Sequence, residues 1–563
     1  MFLGLRNWMC SAGRVAASVV PILLVPAFLP TAYAHPCAAP PQLQGEVDRL
    51  IAQSGLERKS KVSVFVLDPK SGAVLARHNE CDAMIPASNM KVITTGAALH
   101  VLGAGFEFRT ELRLERTANR SRLVLVGDGD PGLFDPALLK LRDGGMRTGN
   151  WTTVEAAVDA WAKTLRESGV TAVDEFVVDG RIFDAESIPP GDRKWLDNGG
   201  NTYAVGVWGF NIAANTATVA PQWLAGRAPG LGTVQPPLPF DLSNRESSST
   251  RPAKGKGEAN FSISAPAGTT QLVFRGRMAE RSGPWQVPVH DPMTLAARMF
   301  REQFATRGIA IGSARVATAA DPHPGGLGVA PVLTTPISAV IHMANTHSEN
   351  IYAEALAKRL GAAWANRGAS TAAESTAQAS TNRAAIPGSW ANGAEAVRAF
   401  LSRHAQCPSA ERICLVDGSG LSGRNRMTAE VVGRWLAAFA RDGALVSAYF
   451  GSFARPKEEG TLKKRFRDAD LSAFDVYAKS GYIEGACCLS GLVVASGGRS
   501  ACFSVLCGED PAIRGSALDV AAAKALQENI ALAAARHILR AGDTGATPST
   551  APTTAAAGDP RAN

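Results

Sequence analysis

The chain has 563 residues, 46% of them hydrophobic and 19% charged, with a formal net charge of +8. That length and balance exclude a disordered or fibrous protein and leave room for about two to four domains with at least one large core. The positive charge does not point to nucleic acid, since no finger, helix-turn-helix or aromatic–basic interleaving accompanies it; anionic envelope polymers, a membrane surface touched peripherally, or a merely solvated basic face account for it.

At the amino terminus Arg6 and Arg14 flank a polar start, an apolar run follows from Val15 to Leu29, and Ala32-Tyr33-Ala34 has the small-x-small pattern of a signal-peptidase site. Residues 1–34 therefore read as a signal peptide cleaved after Ala34, which implies export to the periplasm. The run contains Pro21 and Pro26 and falls short of the roughly 20 residues that span a bilayer, which argues against an anchor. Cleavage leaves Cys37, Cys81, Cys407, Cys414, Cys487, Cys488, Cys502 and Cys507. An even number in an exported chain allows disulfides, with Cys407–Cys414 or Cys37–Cys81 as candidates. No metal site is expected, because none of the nine histidines sits at ligand spacing with a cysteine pair.

Gln42 to Gln53 has the spacing of an amphipathic helix, with Leu43, Val47, Leu50 and Ile51 on one side. Lys61 to Leu67 and Gly72 to His78 read as strands around a turn, and a helix follows Pro86-Ala87-Ser88 to about Leu102. The stretch 108–325 changes texture, with short strand candidates at Glu111–Glu115, Arg122–Val126, Phe176–Val178 and Thr270–Phe274. Helices are expected there at Thr153–Glu167 and Pro292–Gly308, and a polar loop at Arg245–Lys256. The chain becomes helical again from Ile337, and Gly361–Ala385 reads as a mobile loop or loosely packed helix. Strands at Val476–Ala478, Leu489–Ala495 and Ala501–Leu506 precede a closing helix at Ser516–Leu539, whose Asp519, Lys524, Glu528 and Arg536 exclude a membrane span. Residues 542–563 read as a disordered tail.

Three short motifs carry chemistry. In Ser88-Asn89-Met90-Lys91 a serine opens a helix, and a lysine one turn on lies on the same face, placed to take the hydroxyl proton. In Ser348-Glu349-Asn350 a hydroxyl can relay a proton to a leaving amine and a carboxamide can orient a substrate amide; the same residues also suit a helix cap. In Lys479-Ser480-Gly481 a strand lysine offers a cation to a substrate carboxylate, the serine adds a contact, and the glycine lets the substrate backbone approach closely. Each motif is common alone; their order and context give them weight.

That set, with Val124-Leu125-Val126-Gly127-Asp128-Gly129-Asp130-Pro131, Asp417-Gly418-Ser419-Gly420-Leu421-Ser422 and Gly460-Thr461-Leu462, resembles the class C low-molecular-mass penicillin-binding proteins, the D-alanyl-D-alanine carboxypeptidase/endopeptidase group. The likeness spans roughly residues 42 to 540, and the wide gap between Ser88 and Ser348 suits a family with large insertions. It implies an α+β fold of the serine β-lactamase/DD-transpeptidase kind: an antiparallel sheet between helices and a helical subdomain, with large mostly-β insertions. On that basis 35–107 and 326–541 form the peptidase domain and 108–325 one or two inserted domains.

The resemblance further implies Ser88 as nucleophile, Lys91 as base, Ser348 in proton relay, Asn350, Lys479, Ser480 and Gly481 in substrate binding, and the backbone N–H groups of Ser88 and Tyr482 as the oxyanion hole. It implies no cofactor, peptidoglycan as substrate, β-lactams as covalent inhibitors, no nucleic acid, at most peripheral membrane association, and leaves a homo-oligomer open. The bulky Tyr482 and the adjacent Cys487-Cys488 depart from the family pattern at the rim of the site. The alternatives are a serine β-lactamase, against which stands the lack of Glu-x-x-x-Asn between Ser348 and Lys479, and a catalytically inactive cell-wall-binding protein. Asp417 and Ser419 read as turn residues, His342 and His347 as packed or solvated, and Lys463, Lys464 and Arg465 as a solvated face or a polymer groove.

Overall fold

A computed structural model describes residues 41–192, 201–250, 260–280, 282–373, 385–405 and 407–543. The leader with its cleavage site, Cys37, and the tail from 544 lie outside these residues. The chain runs through α1 (Pro41–Ser54), β1 (Lys61–Leu67), β2 (Val74–His78) and α2 (Met90–Leu102). Next come β3 (Glu107–Arg116), β4 (Ser121–Val126), α3 (Pro136–Asp143), α4 (Val154–Glu167) and β5 (Ala172–Asp179). Shorter strands follow: β6 (Thr216–Gln222), β7 (Gly230–Gln235), β8 (Asp241–Thr250), β9 (Ser262–Ser264), β10 (Gln271–Ala279) and β11 (Trp285–Pro288). After α5 (Pro292–Ala305), β12 (Ala310–Val316) and β13 (Leu327–Pro336) come α6 (Ile337–Asn345), α7 (Asn350–Ala373), α8 (Trp390–Phe400), α9 (Ala429–Arg441) and α10 (Val446–Gly451). The chain closes with β14 (Phe474–Ile483), β15 (Ala486–Ala495), β16 (Ser500–Gly508) and α11 (Val520–Asp543).

The sheet that bears the site has strand order β14-β15-β16-β1-β2 and is antiparallel throughout. Both of its faces are covered, so its strands read as apolar runs whose alternate residues enter different cores. Val62, Val64, Val66, Phe503 and Val505 pack with Leu43, Val47, Leu526 and Ile530 of α1 and α11. Phe65, Leu67, Cys502 and Leu506 face the other way, onto Val431, Val432 and Trp435 of α9 and onto α2. Each such side chain contributes about 1.5–3 kcal/mol of burial free energy, so the register Val64↔Val505 is strongly determined. This is the expected antiparallel sheet between helices.

The segment between α2 and α6 builds a second five-stranded sheet, β12-β5-β4-β3-β13. Its β12–β5 and β5–β4 pairs are parallel, and the chain crosses between β4 and β5 through α3 and α4. The insertion is thus strand-rich but contains an α/β layer, and two three-stranded sheets, β8-β10-β9 and β11-β6-β7, complete it.

Three expectations need correction. Residues 245–250 of the anticipated Arg245–Lys256 loop belong to β8, which pairs in parallel with β10; the backbone ladder outweighs the low strand propensity of the serines. Helix α7 continues through Gly361 to Ala373, so the first half of the Gly361–Ala385 segment is helix, and 374–384 lies outside the described residues. Cys407 and Cys414 are both unpaired, as are Cys81, Cys487, Cys488, Cys502 and Cys507. Cys407 turns to Ser409 Oγ at 3.4 Å, whereas the backbone of Cys414 bridges to Arg426.

Candidate active site

Ser88 lies in a single 3₁₀ turn, Ala87–Asn89, that leads directly into α2. Ala87 has φ of +45°, a left-handed conformation costly for a residue with a Cβ and kept only where the surroundings enforce it. Two glycines do so. A Cβ on Gly420 would stand 1.8 Å from the Ala87 carbonyl oxygen. One on Gly481 would stand 2.9 Å from the Pro86 oxygen and 3.0 Å from the nitrogens of Ser88 and Asn89. The turn is therefore clamped between the Asp417–Ser422 loop and β14, and the close approach that Gly481 permits is made by the protein's own backbone.

Lys91 is fully buried. Its Nζ donates to Ser88 Oγ at 3.1 Å, to Asn350 Oδ1 at 2.6 Å and to the Ser419 carbonyl at 2.9 Å. Burial lowers its pKa to about 8, against the opposing pull of the Glu354, Asp417 and Glu349 carboxylates. A neutral amine next to the serine hydroxyl is thereby accessible near neutral pH.

Lys479, on β14, is also without solvent exposure. Its Nζ donates to Ser348 Oγ at 2.9 Å and to the Ser480 carbonyl at 2.7 Å. Burial, then the positive charge of Lys91, drives its pKa well below the ordinary lysine value. Ser348 has φ of +66°, and the left-handed bend falls between α6 and α7. Asn350 begins α7, and its amide joins two parts of the molecule: Oδ1 accepts from Lys91, while Nδ2 donates to the Tyr203 carbonyl at 2.8 Å. Glu349, between them, has its carboxyl pKa raised by burial and then by Asp135.

The structure thus brings Ser88, Lys91, Ser348, Asn350, Lys479, Ser480 and Gly481 into one constellation. Tyr482 stands at its edge, 59% exposed. Its neighbour in the ladder is Cys487, whose side chain is buried on the α11 side with Cys507, while Cys488 faces the Ser88 turn and reaches the Ile85 carbonyl at 3.5 Å.

Glu354 went unread in the sequence. This buried carboxylate accepts from Gly418 N at 2.9 Å, Ser419 N at 2.8 Å and Trp390 Nε1 at 2.6 Å. Asp417 accepts from Gly420 N and Ser422 N, each at 2.7 Å, and from Asn425 Nδ2 at 2.8 Å. It is the turn residue the sequence suggested. Burial pushes Asp417 up to about 7 and raises Glu354 as well. A signal for Glu354 existed: Asn350, Glu354 and Lys358 recur every four residues in the otherwise apolar stretch that opens α7, and all three are buried. Tyr203 offered none, because it contributes only its carbonyl.

Of the flanking candidates, His342 is packed and His347 half-buried, while Lys463 and Lys464 are exposed. Arg465 is buried against Glu528 rather than solvated.

The sequence profile of the D-Ala-D-Ala carboxypeptidase 3 (S13) family matches residues 43–526. The chain belongs to that family. As an S13 chain it is a serine-type D-Ala-D-Ala carboxypeptidase. It is 27% identical over 518 residues to a D-alanyl-D-alanine carboxypeptidase of Actinomadura sp. (strain R39), covering 88% of this chain and 86% of the relative. Its fold is similar to that of penicillin binding protein 4 (dacB) from Haemophilus influenzae, with a TM-score of 0.62 and 20% identity over 86% of this chain and 98% of the other. A structure of the same Haemophilus protein complexed with a novel β-lactam gives a TM-score of 0.58 at 19% identity, with the same coverage.

Proposed function

We propose that this S13 peptidase cleaves the terminal D-Ala-D-Ala bond of peptidoglycan stem peptides through an acyl-enzyme on Ser88. Ser88 Oγ attacks the penultimate D-alanine carbonyl, and neutral Lys91 takes its proton. The oxygen of the tetrahedral intermediate sits between the backbone N–H groups of Ser88 and Tyr482. The terminal D-alanine leaves as the amine, protonated by way of Ser348. Water then hydrolyses the ester and restores Ser88. Lys479 and Ser480 receive the substrate's terminal carboxylate, whose negative charge stabilises the protonated form of a lysine that burial alone disfavours. Asn350 orients the substrate amide from its place between Lys91 and Tyr203. Cleavage of cross-links, the endopeptidase reaction, uses the same steps with a side-chain amine as leaving group, and β-lactams acylate Ser88 in the same way.

The observation that carries this reading is the 3.1 Å contact of a fully buried, pKa-lowered Lys91 with Ser88 Oγ. The reading includes export to the periplasm and takes 108–325 as an insertion, which β13, as a strand of the inserted sheet, extends to Pro336. In support of the latter, the chain leaves and returns on paired strands, Glu107 of β3 opposite Pro336 of β13. The test is D-alanine release from a stem pentapeptide: wild type releases it and Ser88→Ala does not. Equal release by the variant would refute the assignment of Ser88.

A further inference from the structure

Behind the Ser348 loop three metal-ligating side chains converge from two segments of the chain. His342 is in the last turn of α6, His347 immediately precedes Ser348, and Glu459 immediately precedes the Gly460–Leu462 turn. The two segments are bound together at this point: Thr461 N donates to the Thr346 carbonyl at 3.0 Å, and a Cβ on Gly460 would stand 2.3 Å from that same oxygen. The Nε2 atoms of His342 and His347 are both shut off from solvent. Each faces a Glu459 carboxylate oxygen, at 3.1 Å and 3.7 Å respectively. One ligand atom from each residue falls within 4.8 Å of the others.

We propose that His342, His347 and Glu459 form a three-ligand site for a zinc-class divalent cation. Zinc bonds imidazole nitrogen and carboxylate oxygen at about 2.0–2.2 Å, which in a tetrahedral set places neighbouring ligand atoms about 3.3 Å apart. The observed separations bracket that value. Two enclosed ring nitrogens from different histidines converge on one carboxylate, an arrangement that a shared cation would organise. His342 Nδ1 lies 3.5 Å from Thr346 Oγ1, which in turn donates to the Ser452 carbonyl at 2.8 Å, an outer contact of the kind that fixes a liganding ring. Two imidazoles and one carboxylate without a thiolate suit zinc, and water takes the fourth position. The half-exposed Glu459 provides the way in. A cation here would tie the loop bearing Ser348, strained at φ +66°, to the segment packed beneath it.

The test uses the untagged mature chain, stripped with chelator, equilibrated with zinc sulfate and passed through gel filtration before metal analysis. The wild type is expected to retain one zinc per chain and to show a raised thermal midpoint with zinc. His347→Ala and Glu459→Ala, changes at partly exposed side chains that leave the core intact, are expected to weaken zinc at least about 10-fold and to lose the thermal shift. Cobalt in place of zinc should give the intense visible bands of a tetrahedral centre. Failure of the wild type to retain zinc, or zinc binding undiminished in either variant, would overturn the proposal. None of these readings depends on peptidase activity, so the site stands or falls independently of the role given to Ser88.

Discussion

Glu354 accepts the Ser419 N–H at 2.8 Å, and the Ser419 carbonyl in turn accepts from Lys91 Nζ at 2.9 Å. A carboxylate that does not touch Ser88 or Lys91 thus sets the position of the group that holds the proposed base. Removing its charge should act in two ways. Glu354→Gln presents an amide N–H to one of the backbone donors, so the loop shifts and acylation slows by about 10–100-fold, the range for lost orienting contacts. Glu354 also raises the Lys91 pKa by its charge, so in the variant the acid limb of the acylation profile should move to lower pH. A merely structural residue would lower the rate without moving the limb.

The wild-type profile follows from the same lysine. Burial sets Lys91 near 8, and a general base must be deprotonated to act. Second-order acylation by penicillin should therefore rise about tenfold per pH unit below that value and level off above it. Lys91→Met should cost about 10²–10⁴ in rate, and its residual activity should lack the limb. Stopped-flow acylation between pH 5.5 and 9.5 checks both statements.

Gly481→Ala tests the clamp on the nucleophile turn. The added methyl would stand 3.0 Å from Ser88 N, and its three nearest neighbours are all backbone atoms, with no flexible side chain among them to yield. The variant should lose about 1–3 kcal/mol of stability, as over-packed sites do, and its penicillin labelling should slow together with D-alanine release. Urea denaturation and a labelling time course measure the two effects.

The cysteines give a prediction without reference to catalysis. Cys414 is exposed, while Cys487, Cys488, Cys502 and Cys507 are buried with thiol pKa values raised by burial. Alkylation of the native protein should modify Cys414 at once and these four only after denaturation. A disulfide-linked Cys407–Cys414 peptide in a non-reducing digest would contradict the structure.

How much was legible beforehand depended on how local each feature is. Lys61–Leu67 could be bounded to the residue because its apolar run is closed by a turn, and the three motifs could be found because each is a few residues long. Glu354 and Ser419 meet across a separation of 65 residues, and nothing in either neighbourhood announces the other. The sequence marks Gly481 as a place of close approach, but that the Ser88 turn packs there is visible only in the fold. The β8 strand was hidden by its serines because its pairing with β10, rather than its composition, makes it a strand. His342 and His347 are visible side by side, but Glu459, which gives them a purpose, lies far along the chain.

The most direct test of the central claim is mass spectrometry of the intact protein after exposure to benzylpenicillin, followed by peptide mapping. A single long-lived adduct of one penicillin is expected on the peptide containing Ser88, absent from Ser88→Ala. An adduct on another serine, or a folded wild-type protein that takes none, would contradict it.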